Sequence, residues 1–362
     1  MLGPSLAEVS DALYRAGMNG AELPIVPPDQ PLPGLEWDRA DAPGDAAWVT
    51  ADVAARCIDD EATFGLHLAL VVIHRGRLVA EHYGPTADAD TTLISWSMAK
   101  SVVHALVGIC VRDGLLDIDA PAPVAAWQHD ERRAITIAHL LSMTSGLRFR
   151  EDYVDAGVSD VIEMLFGAGQ HDVAGFAIDQ PLEHQPGTIW NYSSGTTNIL
   201  ARIVGDVVGG GEAGMRAFLA RELFEPIGMA SADPRFDMAG TFIGSSYLYC
   251  TALDFARFGE LYRRDGVWAD RRVLPAGWAA HARTPVPVAV PDDEPFGYGN
   301  QWWLWDRAGV PGAFGCHGYE QQRIVVVPDR DLVVVRLGKT VAELEPNLRP
   351  LLREIIEAFP TR

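Results

Sequence analysis

Ser97-Met98-Ala99-Lys100-Ser101-Val102-Val103-His104-Ala105-Leu106-Val107 opens a run in which Met98, Val102, Val103, Leu106, Val107, Cys110 and Val111 share one helical face, ending near Gly114. The spacing predicts a buried helix whose first turn carries a hydroxyl and an amine on neighbouring positions of the same face. A serine hydroxyl is a poor nucleophile until a base takes its proton, and a lysine held neutral by burial can do that. The start of a helix also leaves backbone N–H groups unpaired, so the Ser97 amide is a candidate donor to an oxyanion. The competing reading is an N-cap serine followed by a solvated first-turn cation.

Lysine usage sharpens the choice. Of 29 basic residues, only Lys100 and Lys339 are lysine, and arginine cannot serve as a base in a protein. With 13 serines in the chain, a chance Ser-x-x-Lys is expected only about 0.07 times.

Working outward, Leu66 to Tyr83 reads as two strands joined at Arg75-Gly76, the first hairpin of a sheet. Residues 1–45 hold Pro24, Pro27, Pro28, Pro31, Pro33 and Pro43, which suits an extended surface arm. From Asp119 to about Ala280 helical segments dominate: Ala138 to Met143, Asp160 to Phe166, Asn198 to Val208 and Leu253 to Arg263. Strands return at Tyr298 to Trp305, Gln322 to Val327 and Leu332 to Leu337, and a closing helix runs from Pro350 to Phe359 with its proline in the first turn. The expected fold is α/β: an antiparallel sheet built from both chain ends, flanked by helices, with a mostly helical region inserted. The expected boundaries are an extension over 1–45, a sheet domain over 46–90 and 286–362, and a helical domain over 91–285.

Two further segments carry chemistry. Trp190-Asn191-Tyr192-Ser193-Ser194 lies on a loop ahead of an amphipathic helix. Beside a cationic lysine the Tyr192 phenol is expected to have a lowered pKa, and so to relay the serine's proton to a leaving group. Gly315-Cys316-His317-Gly318-Tyr319 opens what reads as the strand continuing to Val327, its glycines letting a substrate approach the edge and the Tyr319 amide, or in a shifted register that of Cys316, serving as second oxyanion donor. The competing reading is a glycine bulge with His317 in the core. Trp302, within Trp302-Trp303-Leu304-Trp305, is taken to line the cleft.

A formal charge of -20 would repel phosphate backbones, which argues against nucleic acid as a partner. No window approaches the apolar length of a membrane span, and Met1 to Glu8 has neither the basic nor the apolar part of a secretory signal, so a cytoplasmic protein with no membrane partner is expected. Cys57, Cys110, Cys250 and Cys316 are far apart, which points to free thiols. No Gly-x-Ser-x-Gly elbow, His-Glu-x-x-His or phosphate-binding loop is present, and no cofactor or metal is expected.

Taken together the segments resemble the serine β-lactamase and penicillin-binding-protein superfamily, in its class C and esterase-like branch. Ser97 to Lys100 matches Ser-x-x-Lys, Tyr192-Ser193-Ser194 matches Tyr-x-Asn with serine in the last place, and Cys316-His317-Gly318 stands where Lys-Thr-Gly is found. Leu140-Leu141-Ser142-Met143-Thr144-Ser145-Gly146-Leu147 resembles the branch's Leu-Leu-x-x-Thr-Ser-Gly-Leu segment. Ser-Met-Ala-Lys-Ser, Glu151-Asp152-Tyr153 and Tyr-Ser-Ser are similar to the pattern of 6-aminohexanoate-dimer hydrolases, the nylon-oligomer amidases. The resemblance implies a β-lactamase/transpeptidase-like fold and an acyl-enzyme on Ser97, with Tyr153, Ser194 and His317 contacting or supporting a small amide or ester substrate. Losing the Lys of Lys-Thr-Gly removes a cation for a β-lactam carboxylate, so β-lactamase activity is expected to be poor. A carboxylesterase, a D-aminopeptidase, a non-turnover penicillin sensor and an inactive scaffold are the rivals; a homodimer is compatible with all of them.

Overall fold

In the computed structural model residues 36–152 and 159–362 are described; Tyr153 and most of the expected N-terminal arm lie outside them. Ala46–Asp59 forms helix α1, whose Ala46, Thr50, Val53, Ala54 and Cys57 recur at helical spacing and are buried. Strands β1 (Leu66–His74) and β2 (Arg77–Tyr83) follow as an antiparallel hairpin. Arg75 and Gly76 both take left-handed φ, 53° and 77°, the conformation a two-residue hairpin turn requires.

Helix α2 (Ala99–Arg112) begins with the tight 3₁₀ turn Trp96–Met98 and is buried on every side from Ala99 to Cys110. Helices α3 (Asp160–Phe166), α4 (Ser194–Val208) and α5 (Ala252–Arg263) complete the helical layer that matters for the site. Each of these three has a serine or threonine at its N-cap accepting a backbone N–H, namely Ser159, Ser193 and Thr251.

The chain then returns to the sheet through β3 (Gly297–Tyr298), β4 (Trp303–Leu304), β5 (Phe314–Gly318), β6 (Gln322–Val327) and β7 (Leu332–Lys339), and closes with helix α6 (Glu345–Ala358). The sheet has seven strands in the order β2-β1-β7-β6-β5-β4-β3, all antiparallel, so both chain ends build it as expected.

Central strands are buried on both faces. Val71, Ile73, Ile324, Val326, Val333 and Val335 face the layer of α2 and α5, while Leu70, Val72, Val325, Val327 and Val334 face α1 and α6. Gly259 of α5 sits so near the sheet that a Cβ there would lie 2.6 Å from Val333. The helix therefore packs backbone-first on the strands, and a side chain would force it away.

Three sequence expectations about this end are corrected. Tyr298 to Trp305 is a short hairpin rather than one strand, because the chain reverses at 299–302 with Gln301 at φ 60°. Gly315 to Val327 is two antiparallel strands joined at Tyr319–Gln321, where Glu320 and Gln321 take φ of 57° and 65°. Neither reversal has a glycine at its left-handed position, so the usual signal is missing. Helix α6 starts at Glu345 with Pro346 in its first turn; Pro350 lies inside it.

Candidate active site

The nucleophile turn is tied down before the helix starts. Leu93–Ile94 pairs with Leu248–Cys250 in a small second sheet, and Ser95 extends that pairing. The Ser95 N–H donates to the Leu248 carbonyl at 2.8 Å, and its hydroxyl accepts from the Leu248 N–H at 3.1 Å. Trp96 then adopts φ 44°, a strained conformation for a bulky residue, held immediately before Ser97. On the other side Gly318 is tight against this turn, since a Cβ there would lie 2.3 Å from the Ser95 carbonyl oxygen. The glycine lets backbone approach backbone here, and it also borders the cleft beside Ser97.

Below Ser97 lies a buried polar network. Lys100 Nζ is 2.8 Å from Ser97 Oγ, 2.8 Å from Ser194 Oγ and 3.1 Å from the Ser245 carbonyl oxygen. The hydroxyl of Ser194 donates to Glu151 Oε1 at 2.5 Å, and its N–H donates to Glu151 Oε2 at 2.7 Å. Glu151 lies 4.0 Å from the amine. Counting protons fixes the orientation: the Ser245 carbonyl can only accept, and the Ser194 proton is committed to Glu151, so both take N–H bonds from the lysine. In the neutral amine the remaining position is the lone pair, and it faces Ser97 Oγ. Burial pulls the Lys100 pKa from 10.5 down to about 8, while Glu151 opposes the fall.

Above Ser97 is an aromatic roof. Ser193 caps α4 and Asn191 is fastened to the 143–149 segment, its N–H donating to Met143 O at 2.9 Å and its Nδ2 to Phe149 O at 3.0 Å. Between these anchors Tyr192 borders the same cavity as Ser97, and Lys100 Nζ stands 4.9 Å from its ring centroid. Its ring packs against Tyr298 and Trp303 at centroid distances of 5.8 and 5.2 Å. The expected lowering of the Tyr192 pKa is corrected: burial, then the Glu151 charge, push it up. Desolvation outweighs the Arg323 charge that favours the phenolate, so the phenol stays protonated.

His317 also reaches the cleft, stacked on Trp303 with its Nε2 accepting from the Trp305 indole at 2.9 Å. Burial and Arg323 keep it neutral. Trp302 does not line the cleft: it is fully buried against Phe258, Tyr262 and Phe314. Trp302 lies in the reversal ahead of β4, and it is Trp303, the first residue of that strand, that borders the site. Cys316 likewise points into the core, but Arg323, paired across the strands with His317, brings a guanidinium to the cleft wall.

Two cavities meet at Ser97 and Tyr319. One, of about 360 Å³, is bordered by Tyr192, Trp303, His317, Arg323, Glu294 and Glu345. The other, of about 290 Å³, is bordered by Trp96, Val161, Ile162, Leu165, Phe166 and Ser246. Among the described residues no group of His, Cys, Asp and Glu is arranged to hold a metal, the four cysteines are free, and no helix is long and apolar enough to cross a membrane. Glu151 and the Ser245 carbonyl are the functional groups that sequence reasoning missed. The acidic residue after Ser145-Gly146-Leu147 was the available signal for Glu151, while nothing marks a backbone carbonyl.

The sequence model of the Beta-lactamase family matches residues 66–355. The chain belongs to the Beta-lactamase family. No curated protein matches it. Among solved structures, a Bacillus anthracis protein proposed to be a 6-aminohexanoate-dimer hydrolase superposes with a TM-score of 0.71 at 19% identity, over 99% of this chain and 100% of the other. A penicillin-binding-protein homologue from Caulobacter crescentus gives 0.66 at 18%, over 88% and 99%. A family VIII carboxylesterase gives 0.65 at 15%, over 90% and 100%. At such identities these likenesses speak for the fold, and this Beta-lactamase family member has a serine-hydrolase-like architecture with a serine, a lysine and a tyrosine gathered at one point.

Proposed function

We propose that the protein is a serine hydrolase that cleaves amide or ester bonds through an acyl-enzyme on Ser97. The observation that carries this reading is the 2.8 Å contact between a fully buried amine, with a pKa near 8, and the Ser97 hydroxyl. Neutral Lys100 takes the Ser97 proton as Oγ bonds to the substrate carbonyl carbon. The amides of Ser97 and Tyr319 are assigned to the oxyanion. Tyr192 gives its phenolic proton to the departing nitrogen or oxygen and recovers one from Lys100, and the bond to the leaving group breaks. Water then attacks the ester, its proton returns through the same groups, and Ser97 is freed. Ser194 and Glu151 hold the lysine in place.

Within this class the reading closest to the 6-aminohexanoate-dimer hydrolase likeness is cleavage of short linear amides and esters. Comparing p-nitrophenyl esters, the 6-aminohexanoate dimer and a chromogenic β-lactam tests it directly. Ser97→Ala is expected to lower ester hydrolysis by roughly 10²- to 10⁶-fold. Retained hydrolysis in that variant would refute the assignment. A lasting adduct by intact-mass spectrometry without turnover would instead mark a sensor, and neither adduct nor turnover an inactive scaffold.

A further inference from the structure

Ser97 sits where two cavities of unequal polarity join, the more polar one carrying charged side chains, and Tyr192 borders only that one. The proton donor must stand on the side from which the leaving group departs, because its O–H has to reach the departing atom. That side is the polar cavity, with Arg323, Glu294, Glu345 and His317 on its walls. The acyl portion, joined to the same carbonyl carbon, then extends the other way, into the cavity under α3. There the surroundings are Trp96, Val161, Ile162, Leu165 and Phe166, with Ser246 and Tyr319 as the polar members besides Ser97. Among the described residues that line this cavity none carries a charged side chain.

Resting on the hydrolase reading, we infer that the enzyme's substrates pair an uncharged apolar acyl group, held under α3, with a polar amine or alcohol leaving group, held beside Arg323. Attack by Ser97 forms the Oγ–acyl bond and breaks the bond to the leaving group, which departs with the proton from Tyr192 into the polar cavity. The acyl chain stays in the apolar cavity until water releases it as a carboxylic acid. An acyl chain ending in an ammonium group leaves its charge unpaired against Val161, Ile162 and Leu165, so it is selected against. The 6-aminohexanoate dimer carries such a group on its acyl side and is a poorer substrate than the corresponding hexanoyl amide.

The polarity of the site is tested by varying each half of the substrate separately. Across p-nitrophenyl acetate, butyrate and hexanoate, kcat/KM rises by about 4-fold per methylene while the chain remains inside the cavity. With the leaving group held constant, hexanoyl-6-aminohexanoate is hydrolysed at least 10-fold faster, by kcat/KM, than the 6-aminohexanoate dimer. Ile162→Trp fills the acyl cavity and lowers the hexanoate-to-acetate ratio of kcat/KM by 10-fold or more, a ratio that partial misfolding does not change. A flat wild-type chain-length series, or a dimer hydrolysed as well as its hexanoyl analogue, overturns the inference while leaving the hydrolase reading intact. Failure of every ester to acylate Ser97, read by intact mass, overturns the hydrolase reading itself.

Discussion

The floor and the roof of the site are built from opposite materials. Under Ser97 the neighbours are an amine, a carboxylate, a hydroxyl and a carbonyl, joined by hydrogen bonds of 2.5 to 3.1 Å. Over it the neighbours are the rings of Tyr192, Tyr298, Trp303 and His317, in contact face to face or edge to face. The floor stores a charge and orients a lone pair, whereas the roof excludes water and so sets how costly that charge is. Lys100 takes its pKa from both: dryness lowers it, Glu151 lifts it, and the outcome near 8 leaves part of the population neutral at physiological pH.

Removing the floor's base is the most damaging way to break this arrangement. Lys100→Ala is expected to lower kcat/KM by roughly 10³- to 10⁶-fold, and Lys100→Arg to fare no better because a guanidinium does not deprotonate. Tyr192→Phe keeps the roof's packing but removes the phenol proposed to protonate the leaving group. A loss of about 10²- to 10⁴-fold in kcat is expected, larger for amides than for activated esters, since nitrophenolate departs without protonation. The two tryptophans sharpen the comparison from the side of stability. Trp302→Ala should cost about 3–5 kcal/mol in denaturant unfolding, while Trp303→Ala should cost less and raise KM instead. Equal effects in the two variants would contradict the opposite facing of these neighbours.

The smallest effect concerns pH. Because Lys100 must be neutral to accept a proton, kcat/KM in the wild type rises as pH increases through about 8. Glu151 raises that pKa, so Glu151→Gln removes a negative charge, lowers the pKa, and moves the acidic limb to lower pH. On the alkaline side the rate stays level, because Tyr192 holds its proton to higher pH than a free phenol. A limb that moves upward in Glu151→Gln would show that the carboxylate is not the lysine's partner.

What was legible beforehand follows a physical line. Ser97 and Lys100 are three residues apart on a helix, and β1 and β2 are joined by a two-residue turn, so spacing alone fixed their relation. The Tyr192 loop was found because it precedes an amphipathic helix, and its capping serine adjoins it. By contrast, Glu151 reaches Lys100 through Ser194, a contact between three distant segments that no local pattern encodes. The facing of Trp302 and Trp303 was ambiguous because the run is aromatic on both faces of a sheet edge. The phenol's shift went the wrong way because a neighbour's charge can be read from sequence, whereas depth of burial emerges only once the layers are packed.

The scarcity of lysine has a practical side. Lys100 is 1% exposed beneath the roof, and Lys339, at the end of β7, is exposed. Reagents that acylate or reductively alkylate side-chain amines in the folded protein therefore meet a single accessible target among the lysines. A dye, a linker or a solid support attached at Lys339 leaves the working amine untouched, so among the lysines attachment is confined to the end of β7, away from the buried base.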